Sequence, residues 1–181
     1  MLETIGLQNF VYCTNHTYRR LTLEFLSTFE LYAEVGGIGD TKNNQGYVSF
    51  CLFNEDRQLV VHELAHIFML PSQGFRFILP WFHANNFFAK IGDIANMPTP
   101  DTFYISEAKS SRIFNLVFRY IQRLLATTIF GRGDSTGVVR SIELFFLYSM
   151  LEHYSIDTAY FIAKQFQWVG NSKQGTLLSV V

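Results

Sequence analysis

His62, Glu63 and His66 are the residues of this chain whose types and spacing come nearest to a reaction centre. Together they spell HExxH. On a helix, residues four apart stand one turn apart on the same face. Two imidazoles so placed can share a zinc ion while the glutamate polarises a bound water, which is the chemistry of metal-assisted hydrolysis. A catalytic zinc needs a third protein ligand, and no spacing in the sequence marks one. The extended peptidase pattern, with glycine and histidine further on, fails because Met69 stands at the glycine position. Glu107, His83, Glu143, Glu152 and His153 remain open as third ligands. The plainer reading of the pentapeptide is an amphipathic helix whose histidines are surface or hydrogen-bonded residues, and that reading is preferred.

A second constellation is cationic. Lys109, Arg112, Arg119 and Arg123 recur at spacings that, on one helix, form a narrow stripe. Such a stripe suits phosphates or an acidic partner, and its ordinary alternative is a solvated helix face. Arg132-Gly133-Asp134-Ser135 spells an adhesion tetrapeptide, but Gly131 and Gly133 beside an Asp-Ser pair read as a turn. Asp134 or Ser135 can cap the helix that follows. The stretch lacks the lysine and spacing of a phosphate-binding loop. Trp81, Phe82, Phe87 and Phe88 have no dense basic cluster beside them, so they are expected in the core and not on a base-stacking platform.

The elements that must position these groups centre on residues 111 to 154. Two helices are expected there, joined by the glycine-rich turn. Ile113, Phe114, Val117, Tyr120, Ile121, Leu124 and Leu125 define the inward face of the first. The second is almost wholly apolar from Leu144 to Leu151, which marks a buried central helix over Val139 to His153. Upstream, Thr17 is expected to cap a helix facing inward through Leu21, Phe25 and Leu26. FELYAE and GYVSFCLFN then alternate as the two strands of a hairpin. Asn54 is expected to cap a helix running from Glu55 to Pro71, and a short aromatic helix should end near Gly92. A short strand is expected at TFYI, residues 102 to 105. Asp157 caps a last helix that Gly170 stops. The fold class is α+β, mainly α-helical: five to six helices around a buried central helix, plus one small antiparallel β-hairpin. Residues 1–181 are expected to form a single domain, with a lead-in over 1–16 and a loosely ordered tail over 171–181.

The chain has 181 residues, enough for a full core, and 49% of them are hydrophobic, including 19 Phe. Only 16% are charged and the formal net charge is −1, so part of the apolar surface is expected to serve a partner and there is no general pull towards nucleic acid. Cys13 and Cys51 make no metal-ligand spacing, and no secretory leader or membrane-length apolar run is visible. An intracellular protein of cytoplasm or nucleus, not secreted and not in a membrane, is expected.

Four segments carry a family resemblance: TYRRLTLEFLSTFE, GYVSFCLFNEDRQLVVHELAHIFMLP, RYIQRLLATTIFGRGDSTGVVRSIELFFLYSML and DTAYFIAKQF. In this order they resemble the first-open-reading-frame proteins of Athila-type plant retrotransposons of the Gypsy class. The most specific segment is LLATTIFGRGDSTGVVRSIELFFL. The resemblance implies a domain of the Gag-region polyprotein, or a host gene derived from one, with structural or binding duties. It brings no catalytic residues and no cofactor, and it makes His62 and His66 features of this copy. The expected function is a non-enzymatic interaction domain working through protein partners or self-association, with nucleic-acid contact through the arginine stripe as a weaker expectation. The alternative is a zinc-dependent hydrolase with His62 and His66 on the metal and Glu63 as its base.

Overall fold

The computed structural model describes residues 2–8, 16–32, 46–76, 78, 82–92, 108–133 and 135–172. The chain groups into two compact units, one of Met1–Arg76 with Ser155–Val181 and one of Phe77–Tyr154. The architecture is α+β and mainly helical, with six α-helices and one three-stranded antiparallel sheet among the described residues.

In the first unit, α1 (Arg19–Thr28) leads into β1 (Glu30–Tyr32), which pairs antiparallel with β2 (Tyr47–Leu52). The expected hairpin is there, but the sheet has a third strand. β3 (Glu55–Val60) pairs with β2 along its whole length, and α2 starts only at Val61 and ends at Phe68. Asn54 is therefore no helix cap. Phe53 and Asn54 both take left-handed backbone angles, φ 59° and 58°. Two such residues in a row make the tight turn whose twist matches a hairpin. The polar run Glu55-Asp56-Arg57-Gln58 looks helical in isolation, and here it clothes an edge strand with charge, which discourages pairing with other chains. The cap of α2 comes instead from Glu63, whose carboxylate accepts a hydrogen bond from the Val60 N–H at 3.0 Å.

Thr17 does not cap α1 either; Tyr18 holds that position, with no side-chain bond to the helix end. Two short links fix α1 to the sheet. The Thr28 hydroxyl accepts from the Cys51 N–H at 2.8 Å, and the Glu24 carboxylate accepts from the Asn54 N–H at 2.7 Å. The last helix, α6 (Thr158–Asn171), packs on α1, α2 and β1. Asp157 caps it as expected, accepting from the Tyr160 N–H at 3.0 Å. Gly170 does not stop the helix but lies inside it. A Cβ there would stand 2.1 Å from the Leu26 carbonyl oxygen, so the glycine lets α6 and α1 approach closely. Phe25, Phe29, Phe50 and Phe166 fill the space between sheet and helices, mostly edge to face. At the N-terminus, Ile5 and Leu7 are buried, and the Thr158 hydroxyl donates to the Ile5 carbonyl at 3.0 Å.

The second unit contains α3 (Ala84–Ile91), α4 (Leu116–Thr128) and α5 (Ser141–Leu151). α5 packs against both of the others, and Leu144, Phe145, Phe146 and Leu147 are wholly buried in consecutive order. Four buried residues in a row cover every side of a helix, so the missing polar face was a sound sign of burial. Phe82, Phe87 and Phe88 are buried as expected, with Phe82 5.5 Å from Phe145, and α3 closes at Gly92. Cutting Phe145 back to alanine would cost about 3–5 kcal/mol. Trp81, the strand expected at residues 102–105, Glu107, Asp134 and the tail from residue 173 lie outside the described residues.

Candidate interaction surface

α4 begins with a side-chain cap: Asn115 accepts from the Val117 N–H at 2.8 Å. The helix therefore starts after Lys109 and Arg112, which precede it on a bridge to Val138 and in the 3-10 turn Ser110–Arg112. Its inward face is Ile121, Gln122, Leu125 and Ala126. The expected inward face is thus corrected. Ile113, Ile121 and Leu125 are buried, Leu124 is half-buried, but Phe114, Val117 and Tyr120 turn outward.

A buried polar cluster explains that rotation. The Gln122 Nε2 donates to the Glu143 Oε2 at 2.8 Å, and Arg132 donates to the Glu143 Oε1. Arg132 also donates to the Ser135 carbonyl, and to the Val138 carbonyl at 2.8 Å. The Arg140 N–H completes the shell at 3.1 Å from the Glu143 Oε2. Neither Gln122 nor Glu143 is exposed, and Arg132 is only 7% exposed. A buried carboxylate is stable only when paired and hydrogen-bonded, so a glutamine on α4 must face inward to meet it. The arginine of the adhesion-like tetrapeptide is accordingly spent inside the unit and unavailable to a receptor. Gly131 has the left-handed φ of 56° that the turn requires. Ser135 does not cap α5. Glu143 does so through Arg140, and Asp134 lies outside the described residues.

With the polar cluster inside, α4 leaves an apolar face in solvent. Phe114 is 66% exposed, Leu116 71%, Val117 55% and Tyr120 64%. Leu116, Tyr120, Arg123 and Thr127 follow at steps of four, three and four and share one side of the helix. Large apolar residues exposed on one side of a helix make this the candidate surface. Sequence periodicity missed them because it gathered Phe114, Val117 and Tyr120 with Ile121 and Leu125 into one broad inward face. The signal that could have found them is Asn115 before Leu116-Val117, a cap that fixes where the helix starts.

The cations do not form one helical stripe. Arg123 is exposed on α4 beside Tyr120. Arg119 is half-buried and donates to the Ile113 carbonyl at 2.6 Å and the Ser111 carbonyl at 2.9 Å, so it pins the turn before its own helix. Lys109 and Arg112 are exposed, and neither has a hydrogen bond or ion pair to a described side chain.

In the other unit, His62 and His66 stand exposed one turn apart on α2. The His62 Nδ1 lies 2.8 Å from the Ser72 hydroxyl, and Glu63 is engaged at Val60. No group of three metal-ligating side chains forms among the described residues. A shallow groove lined by Leu70, Pro71, Ser72, Gln73 and Ser155 runs past Ser72 and carries no acid or base in its lining. Of the other third ligands considered, Glu143 is committed as described and Glu107 is outside the described residues. Glu152 and His153 are exposed beyond α5, and His83 precedes α3.

No helix among the described residues is long and apolar enough to cross a membrane. A family model described as the ATHILA ORF-1 family matches residues 1–154. No curated protein and no solved structure matches the chain.

Proposed function

The chain belongs to the ATHILA ORF-1 family, a retrotransposon-related group, and from that premise we propose that it is a non-enzymatic interaction module of the Gag-region type. The observation that carries this is the set of exposed large apolar side chains, Leu116, Val117 and Tyr120 on a helix whose other side is packed, with Phe114 just before it. A capped helix on a rigid support presents such a face ready-made, and little ordering entropy opposes binding. The module acts by protein contact in an intracellular setting, as an element protein or as a host protein derived from one. Nucleic-acid contact through Lys109, Arg112 and Arg123 is a weaker part of the reading. The test is light scattering and crosslinking over a concentration series, with and without candidate protein and nucleic-acid partners, on wild type and Tyr120→Ala. Association that the variant weakens supports the module; a strict monomer that engages nothing overturns it.

A second reading keeps a metal site at α2. The His62 Nδ1 faces the Ser72 hydroxyl, the arrangement by which an outer hydrogen bond orients a ligating imidazole and leaves Nε2 free. Against it, Glu63 caps its own helix. Elemental analysis of protein purified without added metal tests it: stoichiometric zinc lost in His62→Ala supports the reading, and zinc well below one equivalent in both ends it.

A further inference from the structure

Resting on the reading of the α4 face as a contact surface, we infer that its occupant is an acidic amphipathic helical segment of another protein. The face has two parts. Leu116 and Tyr120, one turn apart, with Phe114 and Val117 beside them, form the apolar centre. Arg123, one turn beyond Tyr120 on the same side of the helix, adds positive charge to that centre, and the segment leading into the helix carries two more exposed cations, Arg112 and Lys109. Leu116 to Arg123 spans about 10 Å along the helix, the length of two turns of a partner. A helix laid along it can place apolar residues at steps of three and four against Leu116 and Tyr120 and carboxylates against the two arginines.

Charge excludes the other occupants in turn. A second copy docking through the same face would set Arg123 and Arg112 against cations. Among the described residues the face has no acid to answer them: the described acids of this unit are Glu143, buried and engaged by Arg132 and Gln122, and Glu152, past the end of α5. Like charges brought together at an interface oppose association. Nucleic acid would use the cations and could stack on Tyr120, but it gains nothing from burying Leu116 and Val117. With Arg119 spent on the Ser111 and Ile113 carbonyls, only three described cations of the set remain for phosphates. An acidic helix with an apolar stripe uses every group that the face offers.

The probe is a fluorescently labelled peptide of about 18 residues made of leucine and glutamate, with leucines at helical spacing. Its comparators are the same composition with the leucines on alternate residues, the peptide with lysine in place of glutamate, and single-stranded oligouridine. Fluorescence anisotropy with the full chain should show saturable binding of the acidic helical peptide, at least about tenfold tighter than either peptide comparator. Leu116→Ala with Tyr120→Ala should weaken it about tenfold or more. Arg123→Glu should weaken it and flatten its salt dependence. Trp168→Ala, an exposed aromatic of the other unit, should change nothing. Circular dichroism melts confirm that the variants fold. Equal binding of the lysine peptide overturns the inference. So does oligouridine binding without peptide binding, or self-association that Tyr120→Ala abolishes; in both of those cases the contact-surface reading survives. If no probe binds and Tyr120→Ala behaves as wild type throughout, both fall.

Discussion

Arg132, Gln122 and Glu143 form a buried cluster in which single residues matter. Removing one member of a buried ion pair leaves the other charge stranded, whereas replacing both by apolar groups of similar volume can be nearly neutral. Arg132→Ala is therefore expected to destabilise by about 3–5 kcal/mol in urea denaturation. Arg132→Met with Glu143→Leu should recover most of that loss. A double variant as unstable as the single one would show that the pair's hydrogen bonds to the loop carbonyls, and not its charge, hold the segment. At this scale the sequence was least legible. Arg132 sits in a run that reads as an exposed turn, and nothing local says that a glutamate eleven residues later is waiting for it inside. The same blindness put Tyr120 indoors and left Gln122 unread. HExxH has the spacing of a metal site, and Glu63 is occupied by the end of its own helix.

Elements were easier to read where one physical signal dominated and harder where two competed. α5 was legible from its almost wholly apolar run, α3 from its aromatic run and closing glycine, and α6 from Asp157. β3 was not, because helix-forming side chains there are overruled by a turn that only the backbone angles of Phe53 and Asn54 reveal. A bulky aromatic in the left-handed region is strained, and Phe53 gains no burial in return, being 66% exposed. Phe53→Asn with Asn54→Gly, the preferred pair for this turn, should raise stability by about 0.5–1 kcal/mol. The Glu24 bond to the residue-54 amide is kept in that variant, so a loss of stability would mean that Phe53 has a packing role. Gly170 presents the reverse case. Glycine to alanine inside a helix ordinarily gains about 1 kcal/mol. Here the added methyl would lie 2.1 Å from the Leu26 carbonyl, and forcing α6 from α1 is an overpacking of about 1–3 kcal/mol. Gly170→Ala should lower the urea midpoint, and a raised midpoint would show that the two helices can part freely.

Over the whole molecule, class and family were legible because they sum many weak signals: the α+β helical character, the apolar composition and the ordered run of family segments. Response to pH was not legible, since it depends on where two carboxylates end up. The Asn54 amide, with smaller help from Cys51, Phe53 and Arg20, holds Glu24 below its ordinary value of 4.5, against a counteracting effect of burial. Its contribution is present above 4.5 and is lost as pH falls through the lower folded value. Asp157 behaves oppositely. Burial pushes it above 3.8, although the Tyr160 amide, Arg76 and the charge of His62 pull it down. A carboxylate raised in the folded state contributes most below 3.8, and that contribution drains away as pH rises through its folded value. Acid should therefore unfold the protein through Glu24, with Asp157 working against the trend. In urea midpoints measured from about pH 3 to 7, Glu24→Gln should flatten the acid side. Asp157→Asn keeps a capping oxygen for the Tyr160 amide but loses the ion pair with Arg76. Its stability relative to wild type should improve steadily with rising pH, because only wild type has a buried charge to create. A gap that stays constant, or widens in wild type's favour as pH rises, would mean that Arg76 offsets the burial of Asp157 in full.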